Sequence, residues 1–353
     1  MSGEWLKELS ETIGISGKED AVRAVVLRAI DGHAEQIHID PMGSITALQR
    51  GTGDSNLRVM VAAHMDEIGF MVTGHDSDGL IRFVSVGGVD DRILPGLRVK
   101  VGDALLPGVV VWTPIHLNNE QDVVKLKNLR IDIGAASKEE AAGKVKKGER
   151  IAFDSRFMEL GEGGRILRGK AFDDRGGCSL LIDLLRGGPY PVDVLAAFTV
   201  QEEIGLRGAQ VAAQTLRPDV AFVLEGTTAH DLPDPARRPD DSRDLNPTAR
   251  MGGGPALTIL DRTLIVPPNL LAFLRDTADI EGIPYQIKSN PGGGTDGGSI
   301  HLAGAGAPTA VISLPCRYIH SPAALLLRDD YDNALRLIQA ALRHISPEVV
   351  NNK

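Results

Sequence analysis

The chain alternates short apolar runs with polar turns, and the period of its apolar positions changes along its length. In the first 35 residues, apolar side chains recur at helical spacing after the turn signal Ser16-Gly17, which predicts helix. Two continuous apolar runs follow at 45–48 and 59–63, and these predict strands buried on both faces. From residue 170 onward strands and helices alternate, which is typical of an α/β fold with a mostly parallel sheet flanked by helices.

The second half of the chain gives the clearest element boundaries. Its apolar runs and helical periods predict helices over 176–185, 206–216, 268–279 and 328–345, and strands over 194–200, 220–224, 256–260, 285–288 and 309–314.

Between residues 71 and 164 the hydrophobic pattern changes to short apolar runs at 80–86, 97–101 and 108–111, separated by Gly and Pro turns. This pattern predicts a small β-barrel or sandwich, interrupted by one helix over 137–144. The predicted domains are therefore an α/β unit made of 1–70 plus 165–353, and an inserted small β-barrel domain at 71–164.

Composition narrows the class of protein. The 353 residues are 42% hydrophobic and 24% charged, which is ordinary for a globular protein of about two domains. The formal net charge of −9 makes nucleic acid and anionic membranes unexpected partners. The absence of a leader-like start and of a long apolar window predicts a cytoplasmic protein. Cys178 and Cys316 have no CxxC partner, so we expect two buried thiols rather than a disulfide or thiolate zinc site.

Charged residues follow directly after apolar runs at five places in the α/β region. These are His64, Asp173-Asp174, Glu202-Glu203, Glu225 and His320. Any one of them has an ordinary explanation as a turn or a surface group. Together they are better explained by a shared counter-ion, because an unpaired charge costs several kcal/mol when it is buried.

The residue types at these places indicate which ion. Two histidines and several carboxylates without thiolate suit zinc, cobalt or manganese. The number of ligands also fits two divalent ions, each with one histidine and one carboxylate and sharing a bridging carboxylate. One glutamate is then left to act as the general base of a metal-assisted hydrolysis.

Five strings along nearly the whole chain resemble the tetrahedral, dinuclear-metal aminopeptidases. That family includes glutamyl and deblocking aminopeptidases and proteins once labelled cellulase M. The strings are Ala63-His64-Met65-Asp66-Glu67-Ile68-Gly69-Phe70, Gly169-Lys170-Ala171-Phe172-Asp173-Asp174-Arg175, Thr199-Val200-Gln201-Glu202-Glu203-Ile204-Gly205-Leu206-Arg207-Gly208-Ala209, Gly293-Gly294-Thr295-Asp296 and Arg317-Tyr318-Ile319-His320-Ser321.

The resemblance implies two metal ions per subunit, with zinc favoured and cobalt or manganese as alternatives. It implies that Asp173 bridges them, that His64 and Glu225 complete one site, and that Glu203 and His320 complete the other. It also implies peptide substrates and assembly through the inserted β domain into a tetrahedral dodecamer.

The resemblance further assigns Glu202 as general base and proton shuttle, and Asp66 as the carboxylate that orients His64. Asp174 would help to hold the bridging loop. Many relatives have Asp where this chain has Glu225, and the charged, Pro-rich loop 231–250 is longer than the usual connection. Among the other histidines, His230 is the strongest candidate for a role because it follows the Glu225 turn.

Two other functions remain open from the residues. A carboxylate pair including Glu202 or Glu203 would serve a glycosidase, although that chemistry needs no set of histidine and carboxylate ligands. A non-catalytic assembly protein on a peptidase scaffold is the second alternative.

Overall fold

A computed structural model gives the fold for residues 3–114, 116, 123–232, 249–289 and 292–351. The strands are β1 (Glu35–Ile39), β2 (Ile45–Gln49), β3 (Arg58–His64), β4 (Gly69–His75), β5 (Ile81–Val86), β6 (Arg98–Val101), β7 (Leu106–Val111), β8 (Arg130–Asp132), β9 (Arg150–Phe153), β10 (Met158–Leu160), β11 (Ile166–Gly169), β12 (Asp193–Thr199), β13 (Val220–Thr228), β14 (Ala256–Thr258), β15 (Gln286–Lys288), β16 (Thr309–Arg317) and β17 (Ala324–Leu327). The α-helices are α1 (Leu6–Glu11), α2 (Asp20–Ile30), α3 (Lys138–Lys144), α4 (Phe172–Gly187), α5 (Arg207–Leu216), α6 (Pro268–Ile280), α7 (Gly297–Ile300), α8 (Arg328–His344) and α9 (Pro347–Asn351).

The large sheet is mixed, with its parallel strands at the centre. Its order is β1-β2-β12-β3-β13-β16-β17-β11-β10, and β14 and β15 join beside β16. The neighbours β12, β3, β13 and β16 run parallel, while β2 pairs antiparallel with β12 and β17 pairs antiparallel with β16. The central strands are almost wholly buried, as their continuous apolar runs predict. The α/β fold class is confirmed.

Helices pack around this sheet and bury their apolar faces against it. Helix α4 contacts both β3 and β13, and α8 packs against α4 and β16. Helix α8 begins with acidic residues in its first turn and ends with Arg343 and His344, so both ends complement the helix dipole. Cys178 and Cys316 are buried free thiols, as expected.

The inserted segment forms a closed antiparallel barrel of β4-β5-β8-β7-β6-β9. Its centre contains Phe70 packed edge-to-face against Phe83 and Phe153, with ring centroids 5.2 and 5.7 Å away. The barrel strands run from Gly69 to Phe153, and the following β10 already belongs to the large sheet. The segment 71–164 therefore contains most of the barrel together with one strand of the other unit.

Two local expectations need correction. The helix predicted over the first 35 residues is two helices, α1 and α2, with Gly17 in the loop between them at a φ of +79°. The elements predicted from residue 170 onward are present, but β13 continues to Thr228 because its parallel pairing with β16 extends as far as Cys316. Glu225 therefore lies inside a strand rather than after it.

Within the described ranges, no helix is both long enough and apolar enough to cross a membrane. The cytoplasmic location expected from the sequence stays a prediction.

Candidate metal centre

Neighbouring parallel strands bring the predicted site residues to one edge of the large sheet. His64 is the last residue of β3, Glu202 and Glu203 follow β12, and His320 follows β16. Since β12, β3, β13 and β16 lie side by side, their carboxyl ends meet. Asp173 reaches the same place from the first turn of α4.

Asp173 lies between the two histidines. Its Oδ1 is 3.1 Å from His64 Nε2, and its Oδ2 is 3.0 Å from His320 Nε2. Strand β13 passes close to Asp173, and a Cβ added to Gly226 would lie only 2.9 Å from the Asp173 Cα. A carboxylate whose two oxygens face two separate imidazoles has the geometry of a bridging ligand.

The glutamates surround the histidines. Glu225 Oε1 lies 3.3 Å from His64 Nε2, and Glu203 Oε1 lies 3.2 Å from His320 Nε2. Glu202 Oε2 is farther from His64 Nε2, at 3.8 Å. Two groups of three side chains could each hold a metal ion, because the three ligand atoms within a group all lie within 4.8 Å of one another. One group is His64, Asp173 and Glu203, and the other is His64, Glu202 and Glu225.

The four carboxylates of the cluster carry more negative charge than its two histidines can neutralise. Burial raises the pKa of Glu225 to about 8 and that of Glu202 well above its ordinary value. Burial opposes protonation of His320, but hydrogen bonds to Asp173 and Glu203 raise its pKa to about 11. Glu225 Oε2 is buried and has no hydrogen-bond partner among the described residues. This donor set fits divalent cations, which would satisfy that oxygen and hold the carboxylates ionised.

Asp66 connects the end of β3 to the glutamate turn. It is completely buried, and it accepts hydrogen bonds from Ser16 Oγ at 2.6 Å and from the backbone N–H groups of Glu202 and Glu203 at 2.9 and 3.2 Å. Its Oδ1 lies 3.4 Å from His64 Nδ1, and its carbonyl oxygen lies 3.1 Å from the same nitrogen. Asp66 lies just beyond the end of β3, and from there it is placed to orient His64 and both glutamates.

His320 is oriented by a contact that the sequence did not reveal. Its Nδ1 lies 2.9 Å from the carbonyl oxygen of Gly88, which follows β5 of the barrel. The sequence marks Gly87-Gly88 only as a turn, and no local signal connects it to a residue 232 positions away. The barrel thus contributes directly to the site.

Left-handed backbone occurs at three of the turns that carry these residues. Ala171, Gln201 and His320 have φ values of 55°, 59° and 59°. Such conformations cost a non-glycine residue about 1–3 kcal/mol each, so they persist where surrounding contacts hold them. Here those contacts include the hydrogen bonds of Asp66 and Gly88.

A buried ion cluster connects the loop after β3 to the start of α4. Lys170 Nζ lies 2.6 and 2.7 Å from the two oxygens of Glu67, and Arg175 reaches the same carboxylate at 3.3 Å. Arg175 also donates to the carbonyl oxygen of Met65 at 2.7 Å. Burial lowers the pKa of Lys170 to about 8. All three charged residues occur in the quoted strings, but their partners are not evident from spacing.

Asp174 also joins these loops. It accepts a hydrogen bond from the His64 backbone N–H at 3.1 Å and another from the Gly177 N–H at 2.9 Å. These contacts connect the start of α4 to the end of β3.

A cavity of about 930 Å³ opens beside the cluster. Asp173, Glu202, Glu203, Glu225 and His320 contribute to its wall, and His230 lines it as well. Most of the predicted loop 231–250, namely 233–248, lies outside the described residues.

The chain matches curated proteins along almost its whole length. A model of the family described as M42 glutamyl aminopeptidase matches residues 43–337. The chain is 33% identical to a lysyl aminopeptidase of Pyrococcus furiosus, covering 98% of this chain and 97% of the relative. It is 31% identical to a glutamyl aminopeptidase of Lactococcus lactis subsp. cremoris, with 98% and 97% covered.

Solved structures agree with the fold. A TET peptidase of Pyrococcus horikoshii, which assembles into a tetrahedron or a large octahedral shell, is 32% identical with a TM-score of 0.84, covering 97% of this chain and 99% of that one. A Thermotoga maritima structure described as an endoglucanase is 37% identical with a TM-score of 0.77, covering 98% of both chains. With its family match over residues 43–337, this chain belongs to the M42 glutamyl aminopeptidase family and is a hydrolase of the aminopeptidase class.

Proposed function

We propose that this protein removes N-terminal residues from peptides at a centre of two divalent metal ions, with Glu202 as general base. The observation that carries the proposal is the position of Asp173, whose two oxygens face His64 at 3.1 Å and His320 at 3.0 Å. Such a carboxylate can serve two cations at once. Membership of an aminopeptidase family supports the reaction type.

In this proposal five residues hold the metals. His64 and Glu225 bind one ion, Glu203 and His320 bind the other, and Asp173 bridges them. Zinc is favoured for nitrogen and carboxylate ligands, with cobalt or manganese as alternatives. Glu225 Oε2 has no hydrogen-bond partner in the part of the chain that the structure describes, which supports the assignment of this residue as a ligand, because a buried carboxylate oxygen requires a partner.

Glu202 is assigned as the base because it stands slightly apart. Its Oε2 is 3.8 Å from His64 Nε2, the longest of the three carboxylate contacts to that nitrogen. Asp66 accepts a hydrogen bond from the Glu202 backbone N–H, which fixes where the side chain begins. Divalent cations bound here would polarise the scissile carbonyl and make a water molecule more acidic. Glu202 would take the proton from that water and deliver it to the leaving amine.

We further propose that the inserted β domain, placed at 71–164 from the sequence, makes contacts between subunits. The Pyrococcus horikoshii relative assembles into closed shells and shares this fold over the whole chain. The barrel also exposes apolar side chains, among them Val84 and Trp112, which are 46% and 47% exposed. A tetrahedral dodecamer would admit only peptides small enough to enter.

Chelation and metal return test the reaction. The purified protein is stripped of metal and then supplied with zinc, cobalt or manganese, and amino-acid p-nitroanilides and β-glucans are offered as substrates. We expect hydrolysis of the p-nitroanilides that is lost on chelation and restored by at least one metal. Cleavage of β-glucan alone would favour the glycosidase alternative. No turnover with any metal would favour a non-catalytic assembly protein.

A further inference from the structure

The loop between α1 and α2 contains two buried polar side chains, Ser16 and Glu19, to which the proposed chemistry gives no role. A Ser-x-x-Glu sequence ahead of a helix usually caps it, with each side chain bonded to a backbone N–H of the first turn. Here α2 begins at Asp20, and the side chain of its N-cap residue Glu19 makes no cap hydrogen bond. The Ser16 hydroxyl instead donates to Asp66 Oδ2 at 2.6 Å. The loop therefore directs this hydroxyl at another part of the molecule.

The backbone of the same loop pairs with the chain immediately after Asp66. Ile15 forms a parallel bridge with Glu67, whose N–H donates to the Gly14 carbonyl at 3.0 Å. The Ser16 N–H donates to the Glu67 carbonyl at 3.4 Å. This pairing sets the register of the two segments, and in that register the Ser16 hydroxyl meets the Asp66 carboxylate.

Asp66 connects this contact to the glutamate turn, residues 201–203. Its Oδ2 accepts hydrogen bonds from the Ser16 hydroxyl at 2.6 Å and from the Glu203 N–H at 3.2 Å, and its Oδ1 accepts one from the Glu202 N–H at 2.9 Å. Loss of the hydroxyl would remove the shorter of the two bonds on Oδ2. The carboxylate would then be freer to rotate, and with it the backbone from which both glutamate side chains begin.

Glu19 lies beside the first residue of the glutamate turn. Its Oε1 accepts a hydrogen bond from the Gly17 N–H at 2.6 Å. Burial raises the pKa of Glu19 to about 7, and hydrogen bonds from the N–H groups of Gly17 and Gln201 oppose that rise. Gln201 has a φ of 59°, a left-handed conformation that surrounding contacts must hold. The N–H groups of the three residues of the turn therefore have buried carboxylates as acceptors, Glu19 for the first and Asp66 for the other two.

Apolar packing joins the loop, the barrel and the glutamate turn. Ile15 forms a small buried cluster with two apolar residues of the barrel, and Ile204, which directly follows the turn, packs against it. Arg150 of β9 donates from Nε to the Ser16 carbonyl at 3.2 Å. Contacts on both sides thus hold Ser16 in place, so its hydroxyl is a fixed donor.

We propose that Ser16 is a positioning residue for the general base Glu202, which it holds in place through Asp66. The inference rests on the proposed function and adds the loop of residues 12–19 to the parts of the chain on which that reaction depends. Ser16 contacts the carboxylate that holds the turn, and not the base itself. Hydrogen-bond partners of this kind around a metal site commonly change activity or metal affinity by about 10–100-fold.

The variant Ser16→Ala removes the hydroxyl and little volume. In the metal-loaded full chain, we expect kcat for an aminoacyl-p-nitroanilide that the wild type cleaves to fall by about 10-fold. KM and metal content should stay near wild type, because the proposed ligands and the cavity are unchanged.

Ser179→Ala is the matched control. It removes another buried hydroxyl, which lies 2.7 Å from the Tyr331 hydroxyl between α4 and α8. Both variants should lower the free energy of unfolding by similar amounts in urea denaturation, since each loses one buried hydrogen bond. Only Ser16→Ala should lower kcat.

Two further variants show how Ser16 acts. In Glu202→Gln, whose residual turnover does not use the base, the addition of Ser16→Ala should leave kcat nearly unchanged, because the effects of residues that act as a unit are not additive. Arg150→Met, at a half-buried position, keeps the hydroxyl and releases the Ser16 carbonyl. It should lower kcat by about 3-fold, in line with the loss of one hydrogen bond.

Amide hydrogen exchange gives a readout that is independent of turnover. In the metal-free protein, the peptide that contains residues 201–203 should exchange faster in Ser16→Ala than in the wild type or in Ser179→Ala. The reason is that the Glu202 and Glu203 N–H groups lose a fixed acceptor.

The outcomes separate this inference from the proposed function. Normal kcat or unchanged exchange in Ser16→Ala would overturn the positioning role, and so would loss of metal, which would place the effect at the ligands. A further loss of the same size in the Glu202→Gln background would show that Ser16 does not act through the base. Each of these results leaves the aminopeptidase function intact. A wild-type chain that cleaves no p-nitroanilide with any metal would overturn the proposed function and this inference with it.

Discussion

At the scale of single residues, two adjacent glutamates are proposed to have different roles, Glu203 as a metal ligand and Glu202 as the general base. Glu203 lies 3.2 Å from His320, whereas Glu202 lies 3.8 Å from His64, and both N–H groups donate to Asp66. Position relative to the histidines distinguishes them, since the two side chains are chemically identical.

Substitution of Glu202 tests this division. Glu202→Gln should retain both metals, because the residue is proposed as a base and not as a ligand. Its kcat should fall by about 10²–10⁴-fold, which is the usual contribution of proton transfer. Metal content and kcat are measured together, with Glu203→Gln as the matched variant expected to lose metal. A Glu202→Gln protein that loses metal or keeps normal turnover would contradict the assignment.

Removal of Asp173 should do more damage than removal of either histidine. A bridging carboxylate neutralises part of the repulsion between two cations, so its loss weakens both sites. We expect Asp173→Ala to retain less than one metal per chain, and His64→Ala and His320→Ala to retain more. Metal analysis after gel filtration decides the matter. Two metals bound to Asp173→Ala would mean that another residue bridges.

At the scale of elements, buried charges hold the loops that carry the ligands. Glu67 lies in the loop between β3 and β4, and Lys170 and Arg175 flank the start of α4. Their ion cluster therefore joins the two segments that position His64 and Asp173. Its members are at most 3% exposed, and removal of one partner leaves an uncompensated charge in the interior.

Lys170→Met should therefore lower the free energy of unfolding by about 3–5 kcal/mol. The matched control is Arg165→Met, which breaks the 2.6 Å pair with Asp329 at a site where the two side chains are 64% and 53% exposed. That control should cost at most about 1 kcal/mol. Urea denaturation of both variants measures the difference. Equal effects would show that the buried cluster has no special part in stability.

At the scale of the whole molecule, the barrel is both a proposed assembly unit and part of the site. The Gly88 carbonyl lies 2.9 Å from His320, so deletion of the barrel would disturb the metal centre as well as any subunit contact. Substitutions on the outer surface of the barrel are the cleaner test of assembly.

The full chain should sediment as a species much larger than its 37.6 kDa monomer. Replacing the exposed barrel residues Val84, Val109 and Trp112 with Lys should give a smaller species with unchanged metal content, because charge at a buried interface opposes association. The matched control replaces Ile265, Ile280 and Leu302, which are exposed outside the barrel. Analytical ultracentrifugation of the three proteins is the measurement. A monomeric wild-type chain would exclude the assembly role.

Much of the architecture could be predicted because it depends on local pattern. The continuous apolar runs of the central strands require burial on both faces, which indicates an α/β sheet before any contact is known. The same reasoning predicts His64, Glu202 and His320 as site candidates, since charge directly after a buried strand needs a partner. By contrast, the exposed strand β1 had no such pattern and was missed.

Contacts between distant residues were decided only by the tertiary structure. Asp66 meets Ser16 and the glutamate turn, and Gly88 meets His320. The sequence alone determined which residues must be buried, because hydrophobicity and strand period act locally. It did not determine which buried groups face one another. That depends on the order of strands in the sheet and on the closing of the barrel against it, and these bring together positions with no relation in spacing.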